Sequence, residues 1–390
     1  MTTTTANGLA ASAAEHSCCI INPIDPGAII LNATKLTITA AALMPYLLVT
    51  PAAWSTNWEA LPEQPPIPAD NPPNAAKIEL GKTLYFDPRF SEHGTLSCNS
   101  CHNLMAAGDD NRPNSIGMHD ARGERSAPTV WNAAFQSVQF WDGRAATLEE
   151  QAKGPVVNPI EMGMESLDEA MGRLMKIEGY LAMFQAAYPG EENPVNADNA
   201  AKAVAAFERT LITPNSPYDR YVNGDETALT EQQVRGMETF SDLGCTACHS
   251  GANFSGPALP MGTGFFQKFP VYTGSDYETK YDLVADTGRH QATGNEADKH
   301  LWRVPTLRNI ALTAPYFHHG AVPTLDEAVR VMAKTQLNKE LSDQQAADLV
   351  AFLNGLSGEF PRLVMPRLPS TPNMSVIPPV DPHLNLNPHN

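Results

Sequence analysis

The amino-acid sequence predicts a mainly helical protein made of two similar units, with much irregular chain between the helices. Three observations carry this expectation. The motif Cys-x-x-Cys-His occurs at 98–102 and again at 245–249. Each copy follows one amphipathic helical pattern, and each unit closes on another. Few runs show the period-two alternation that a half-buried strand requires, and 33 prolines favour long irregular connections.

The first 53 residues read as a targeting segment rather than part of a folded domain. Lys35 precedes the apolar run Leu36–Val49, and Pro51-Ala52-Ala53 follows with small residues, the layout of a secretory signal. The run is shorter than the roughly 20 residues of a comfortable membrane span. Residues 54–76 are a proline-rich lead-in. A helix is expected from Ala75, with Ile78, Leu80, Leu84 and Tyr85 on its apolar side and Asp87-Pro88 as its stop. The first unit, 54–215, closes on a helix carrying Val204, Phe207 and Leu211 at helical spacing. The second, 216–365, repeats the plan. Thr230 caps a helix bearing Val234, Met237 and Phe240, Cys245 follows, and a helix with Leu349, Phe352, Leu353 and Leu356 closes the unit. Residues 366–390 form a proline-rich tail.

A formal charge of −17 over 390 residues excludes the basic surface that a nucleic-acid partner needs. Four of the six cysteines lie in the two motifs, and the other two are the adjacent Cys18 and Cys19, so no disulfide framework is expected in the body of the chain. A Cys-x-x-Cys pair serves zinc, dithiol redox chemistry or covalent c-type haem. A zinc ribbon brings two pairs together across about 15–20 residues, whereas about 140 separate these. Neither zinc nor a redox dithiol has a use for the histidine that follows at once. Haem does: two thioethers fix the vinyl groups, and the next imidazole reaches the iron. Two c-type haems are therefore expected, on Cys98, Cys101 and His102, and on Cys245, Cys248 and His249. The residue on the other side of each iron decides between electron transfer and chemistry. Spacing alone leaves it open among Met105, Met118 and His119 in the first unit, and Met261, His290, His300, His318, His319 and Met332 in the second.

From about Ala75 to Phe360 the chain resembles the bacterial di-haem cytochrome c peroxidases, in the blocks LSCNSCHNL, SAPTVWNAAFQSVQFWDGRA, EEQAKGPVVNPIEM, GCTACHSG, DTGRH, WRVPTLRNIALTAPYFHHGAV and LDEAVRVMAKTQL. MauG-type proteins share several of these blocks. The resemblance implies two cytochrome c-like haem domains. It makes the first haem the low-potential peroxidatic one, with His119 as its distal ligand at rest, and the second the electron-entry haem, with Met332 as its distal ligand. MauG-type proteins carry a tyrosine there. It further implies Glu161 as the acid–base residue at the peroxide site, Gln151 as its amide neighbour, and Trp141 as a residue between the haems. A calcium ion between the domains would take the carbonyls of Thr313 and Pro315. The family's asparagine at that site falls near Ser126, so this chain departs from the pattern there. His318 matches a histidine near the electron-entry haem.

The implied function is reduction of hydrogen peroxide to water with electrons from a small cytochrome c or a cupredoxin, in an exported, periplasmic homodimer. Two alternatives stand beside it: a MauG-type oxidase that modifies a partner protein, and a di-haem electron carrier without enzymatic activity.

Overall fold

The computed structural model describes residues 58–379, and the signal-like segment, with Cys18 and Cys19, lies outside them. Twelve α-helices, six single-turn 3-10 helices and one small sheet make up the regular structure of the described residues. In chain order the helices are α1 (Ala75–Phe86), α2 (Cys98–Cys101), α3 (Leu148–Val157), α4 (Leu167–Met175), α5 (Glu178–Ala187), α6 (Ala197–Glu208), α7 (Pro217–Val222), α8 (Glu231–Asp242), α9 (Asp276–Tyr281), α10 (His290–Thr293), α11 (Leu325–Leu337) and α12 (Asp343–Asn354). Strands β1 (Phe266–Lys268) and β2 (Leu301–Arg303) pair antiparallel, with Phe266 opposite Arg303.

The two-unit plan is present. Asn74 caps α1 by accepting from the Lys77 N–H, and Thr230 caps α8 in a box with Gln233. In each unit the helix before the cysteine motif crosses the closing helix at a glycine. A Cβ on Gly81 of α1 would lie 1.8 Å from the Ala203 carbonyl oxygen of α6, and one on Gly236 of α8 would lie 1.9 Å from that of Asp348 on α12. The backbones touch, and no methyl fits between them. Leu80, Leu84, Tyr85, Val204 and Phe207 are buried at the first crossing, and Met237, Phe240, Leu349, Phe352 and Leu353 at the second. Gly81→Ala and Gly236→Ala are each expected to destabilise the fold by at least the ~1–3 kcal/mol typical of overpacking. Thermal unfolding of the haem-loaded protein checks this; an unchanged midpoint in both would show that the crossings are looser than described.

The segments outside the helices are not loose. Trp58 of the lead-in packs edge-on against Tyr218 and Phe352 of the second unit, and the Leu61 N–H donates to Asp219 at 2.9 Å. At the other end, Phe360 meets Trp131 edge-on at 4.9 Å, Pro369 accepts from Arg89, and Val376 is buried in the first unit's core. Each unit is thus strapped by chain belonging to the far end. The connection between the units is also interior. Thr213 is fully buried, bonded to Asn132 of the first unit and Asn309 of the second.

Candidate functional site

Each cysteine motif opens onto its own cavity. The first, of about 180 Å³, is lined by Cys98, Cys101, His102, Gln151, Glu161 and Glu208 among others. The second, of about 400 Å³, is lined by Cys245, Cys248, His249, Trp302, His318 and Met332 among others. The first motif sits on α2, after Ser97 as N-cap, and the second on a 3-10 turn, after Gly244. Both turns bring the histidine back over the first cysteine: His102 N–H donates to the Cys98 carbonyl and His249 N–H to that of Cys245, each at 2.9 Å.

The two imidazoles are prepared as ligands in the same way. His102 Nδ1 lies 2.9 Å from the Pro128 carbonyl and His249 Nδ1 lies 3.1 Å from that of Phe254. With Nδ1–H donating, Nε2 keeps its lone pair for a metal. Burial lowers both histidines' pKa, against the pull of those carbonyls, and so favours the neutral, ligating form. Burial pushes up the thiol pKa of all four motif cysteines, Cys98 and Cys245 to about 12. A redox dithiol or thiolate metal site lowers this value; neutral thiols suit thioether formation.

A buried cation also waits for an anion. Arg303 lines both cavities and is almost wholly buried. Its Nε donates to the Phe140 carbonyl at 2.9 Å, but Nη1 has no partner, and burial lowers its pKa to about 10. Trp302 Nε1, on the wall of the second cavity, is also unpartnered. Haem carries two propionates, and unpaired buried donors beside a cysteine–histidine cradle fit that group.

The wall between the cavities is short. Ser126–Thr129, Gln136, Trp141 and Arg303 line both. Trp141 Nε1 donates to the Ser126 carbonyl at 2.8 Å, Ser126 N–H donates to the His318 carbonyl at 2.7 Å, and Arg303 N–H donates to the Trp141 carbonyl at 2.9 Å. Arg125 clamps the same region, with Asp142 at 2.6 Å on the first unit and Asp286 at 2.7 Å on the second. A tryptophan touching both cavities is placed to pass electrons. Trp141→Phe is expected to slow electron transfer between the haems several-fold with both haems retained; transient absorption after rapid mixing measures it, and an unchanged rate would leave Trp141 a packing residue.

Glu161 is half-buried in the first cavity. Burial raises its pKa, opposed by the charge of Arg144 and a hydrogen bond from Asn158. Gln151, on α3, and Arg144 line the same cavity. His119 is elsewhere. It lies in a one-turn 3-10 helix, Met118–Asp120, exposed, with Nε2 3.2 Å from Glu92 Oε2, and it does not line the cavity. Its φ is +57° and that of Asp120 is +59°, two consecutive left-handed residues without glycine, a costly conformation that the surroundings must hold. Met332, on α11, lines the second cavity with His249. Met105 and Met261 are exposed and His290 is partly buried; none of the three lines either cavity.

Thr313 and Pro315 line the second cavity, and among the described residues no hydrogen bond reaches either carbonyl. Ser126 lines it too, its hydroxyl 3.2 Å from the Arg112 carbonyl. Asn111, which sequence reasoning did not single out, reaches this loop from the first unit and donates to the Leu312 and Ala314 carbonyls. Arg144, Arg303 and Glu208 were also missed. Glu208 sits against the first cavity with Oε2 unpartnered, and burial raises its pKa to about 8. In the sequence it is one acidic residue among 43.

These features define a protein that attaches two c-type haems, one in each cysteine–histidine cavity. Comparison with known proteins agrees. The family model for di-haem cytochrome c peroxidase matches residues 75–227, and that for cytochrome c matches 233–357. Cytochrome c551 peroxidase of Pseudomonas aeruginosa is 42% identical over 81% of this chain and 89% of its own. Cytochrome c peroxidase Ccp of Escherichia coli is 45% identical over 76% of this chain, covering 61% of that longer protein. Among solved structures, a MauG-like protein associated with microbial copper homeostasis superposes with a TM-score of 0.67 at 32% identity, over 78% of this chain and 96% of that one. The chain belongs to the di-haem cytochrome c peroxidase family, and its fold is that of a mainly helical di-haem protein.

Proposed function

We infer that this protein reduces hydrogen peroxide to water, H2O2 + 2e⁻ + 2H⁺ giving two H2O, with electrons from a small cytochrome c or a cupredoxin. The observation that carries the reading is Glu161, a carboxylate with a raised pKa in the cavity that His102 and its two cysteines line. When bound, the haem at His102 supplies the iron position where peroxide is held and the electrons that break its O–O bond. Glu161 accepts the proton of the near oxygen and delivers it to the far one, which leaves as water. The Arg144 charge pulls the Glu161 pKa down against its burial and so favours the ionised form that acts as base. The Gln151 amide, on α3, orients the peroxide. Trp141 connects this cavity to the second, where His249 and Met332 would hold the electron-entry haem. A thioether ligand raises a haem potential, as suits a group that must take electrons from a donor.

His119 would be the second ligand of the peroxidatic iron at rest. In the conformation seen here it is turned to Glu92 and the cavity is free of it, which supports an arrangement open to peroxide. A MauG-type oxidase would carry a tyrosine in place of Met332. The carbonyls of Thr313 and Pro315 would hold calcium, an oxygen-only donor set that suits it. The segment 1–53 would direct export to the periplasm, where such haem is attached, and the working form would be a homodimer.

The test is peroxide-dependent oxidation of a reduced small cytochrome c by the haem-loaded mature protein, before and after one-electron pre-reduction. Turnover that appears only after pre-reduction supports both the peroxidase and the His119 switch. Turnover in both states keeps the peroxidase and discards the switch. No turnover with several donors and both haems bound sinks the reading.

A further inference from the structure

Glu92, His93 and His119 bring three ligand-type atoms within 4.8 Å of one another, outside both haem cavities. His119 Nε2 lies 3.2 Å from Glu92 Oε2, and His93 Nε2 lies 3.8 Å from Glu92 Oε1. The two imidazole rings meet edge to face, 5.0 Å apart and 85° to each other. His93 Nε2 is shielded from water and has no hydrogen-bond partner, a state that a buried nitrogen seldom keeps. The backbone beneath is firmly held. Glu92 N–H donates to the Met162 carbonyl at 2.8 Å, and the buried Arg173 guanidinium caps the carbonyls of Ser91 and Glu92 at 2.6 and 3.1 Å. The opposite side is tied to the catalytic segment, because Met118 N–H donates to the Glu161 carbonyl at 3.0 Å.

We propose that Glu92, His93 and His119 form a binding site for a divalent transition-metal ion of the zinc type, which holds His119 away from the peroxidatic haem. Two imidazoles and one carboxylate, with water as a fourth ligand, are a donor set for zinc rather than for calcium or magnesium, which take oxygen. Tetrahedral zinc with bonds of about 2.0–2.1 Å separates its ligands by roughly 3.3 Å. The three atoms lie within 4.8 Å of one another, so the widest pair needs to close by at most about 1.5 Å, within reach of side-chain rotation. The regulatory half of the proposal rests on the reading of His119 as the resting distal ligand. His119 Nε2 is the atom offered to the cluster, and it cannot serve two metals at once. Zinc would bind the open arrangement better than the closed one and shift the population toward it.

The experiment titrates Zn²⁺ into the chelator-stripped, fully oxidised, haem-loaded protein by calorimetry, with the absorption and EPR spectra of the ferric haems recorded alongside. The expected result is a single saturable zinc per chain, weakened by roughly tenfold or more in both His93→Ala and Glu92→Gln, since losing a direct ligand costs no less than losing an outer-shell one. Zinc should convert the His102 haem from low to high spin in the parent protein and much less in the variants. Two variants guard against one that fails to fold. Absent binding, or binding equal in parent and variants, overturns the site. Variant-sensitive binding with an unchanged low-spin spectrum keeps the site and overturns its hold on His119. Variant-sensitive binding to a protein already high-spin before zinc keeps the site and sinks the distal-ligand reading alone.

Discussion

Glu161→Gln is expected to lower peroxide turnover by about 10²- to 10⁴-fold, the range for removing a positioned general acid–base, with both haems still attached and the fold unchanged. The substitution keeps the side chain's shape and removes only its ability to carry the proton. The backbone bond from Met118 N–H to the Glu161 carbonyl is untouched, so the His119 segment keeps its anchor. The pH dependence gives an independent check. Burial raises the Glu161 pKa, and the base form is the one that accepts the proton. Activity should therefore fall as pH drops through a value above that of an ordinary carboxylate. The Arg144 charge pulls that value down, so Arg144→Ala should move the acid limb of kcat/KM to higher pH. Steady-state rates across pH settle it: a glutamine variant with full turnover, or an arginine variant with an unmoved limb, would take Glu161 out of the chemistry.

Met332→His is expected to lower the potential of the haem at His249 by on the order of a hundred millivolts, a modest part of the roughly 0.8 V that axial ligands span. The potential of the haem at His102 should stay put. Met332 lies on α11, with Val331 and Ala333 buried on either side of it, so the helix should carry an imidazole to the same cavity. Electron entry would become uphill from a high-potential donor, and turnover with a small cytochrome c would fall in step. A spectroelectrochemical titration reads both haems at once. An unchanged high potential would mean that another side chain completes the second haem's coordination.

Much of the site was legible because its chemistry is local. A thioether pair and its following imidazole must sit within five residues, so the two motifs announced themselves, and the structure adds that each imidazole is aimed by a carbonyl to its Nδ1. The closing helices were equally plain, since Leu349, Phe352, Leu353 and Leu356 repeat at the spacing of one helical face and are buried together. Gly81 and Gly236 were not. A glycine within a helical pattern reads as a weak position, and only the crossing helix shows that the backbone there has no room for a methyl. Nor were the straps, because Trp58, Phe360 and Val376 lie in proline-rich chain without a period.

Arg303 and Glu208 mark the same divide. Their residue types are common in the sequence and no spacing marks either of them, although Arg303 falls within the block WRVPTLRNIALTAPYFHHGAV. What makes them notable is desolvation beside a cavity, a property of everything packed around them: it leaves Arg303 Nη1 without a partner and pushes the Glu208 pKa up to about 8. The sequence by itself determined the mainly helical two-unit plan and the four cysteines and two histidines that would attach haem, because covalent spacing and helical period are short-range. The tertiary structure alone decided that Arg303 belongs to both cavities, that the lead-in at Trp58 and the segment 360–376 strap opposite units, and that His119 stands beside Glu92 and His93. Burial, charge pairing and close backbone contact join residues far apart in the chain, and no local pattern encodes them.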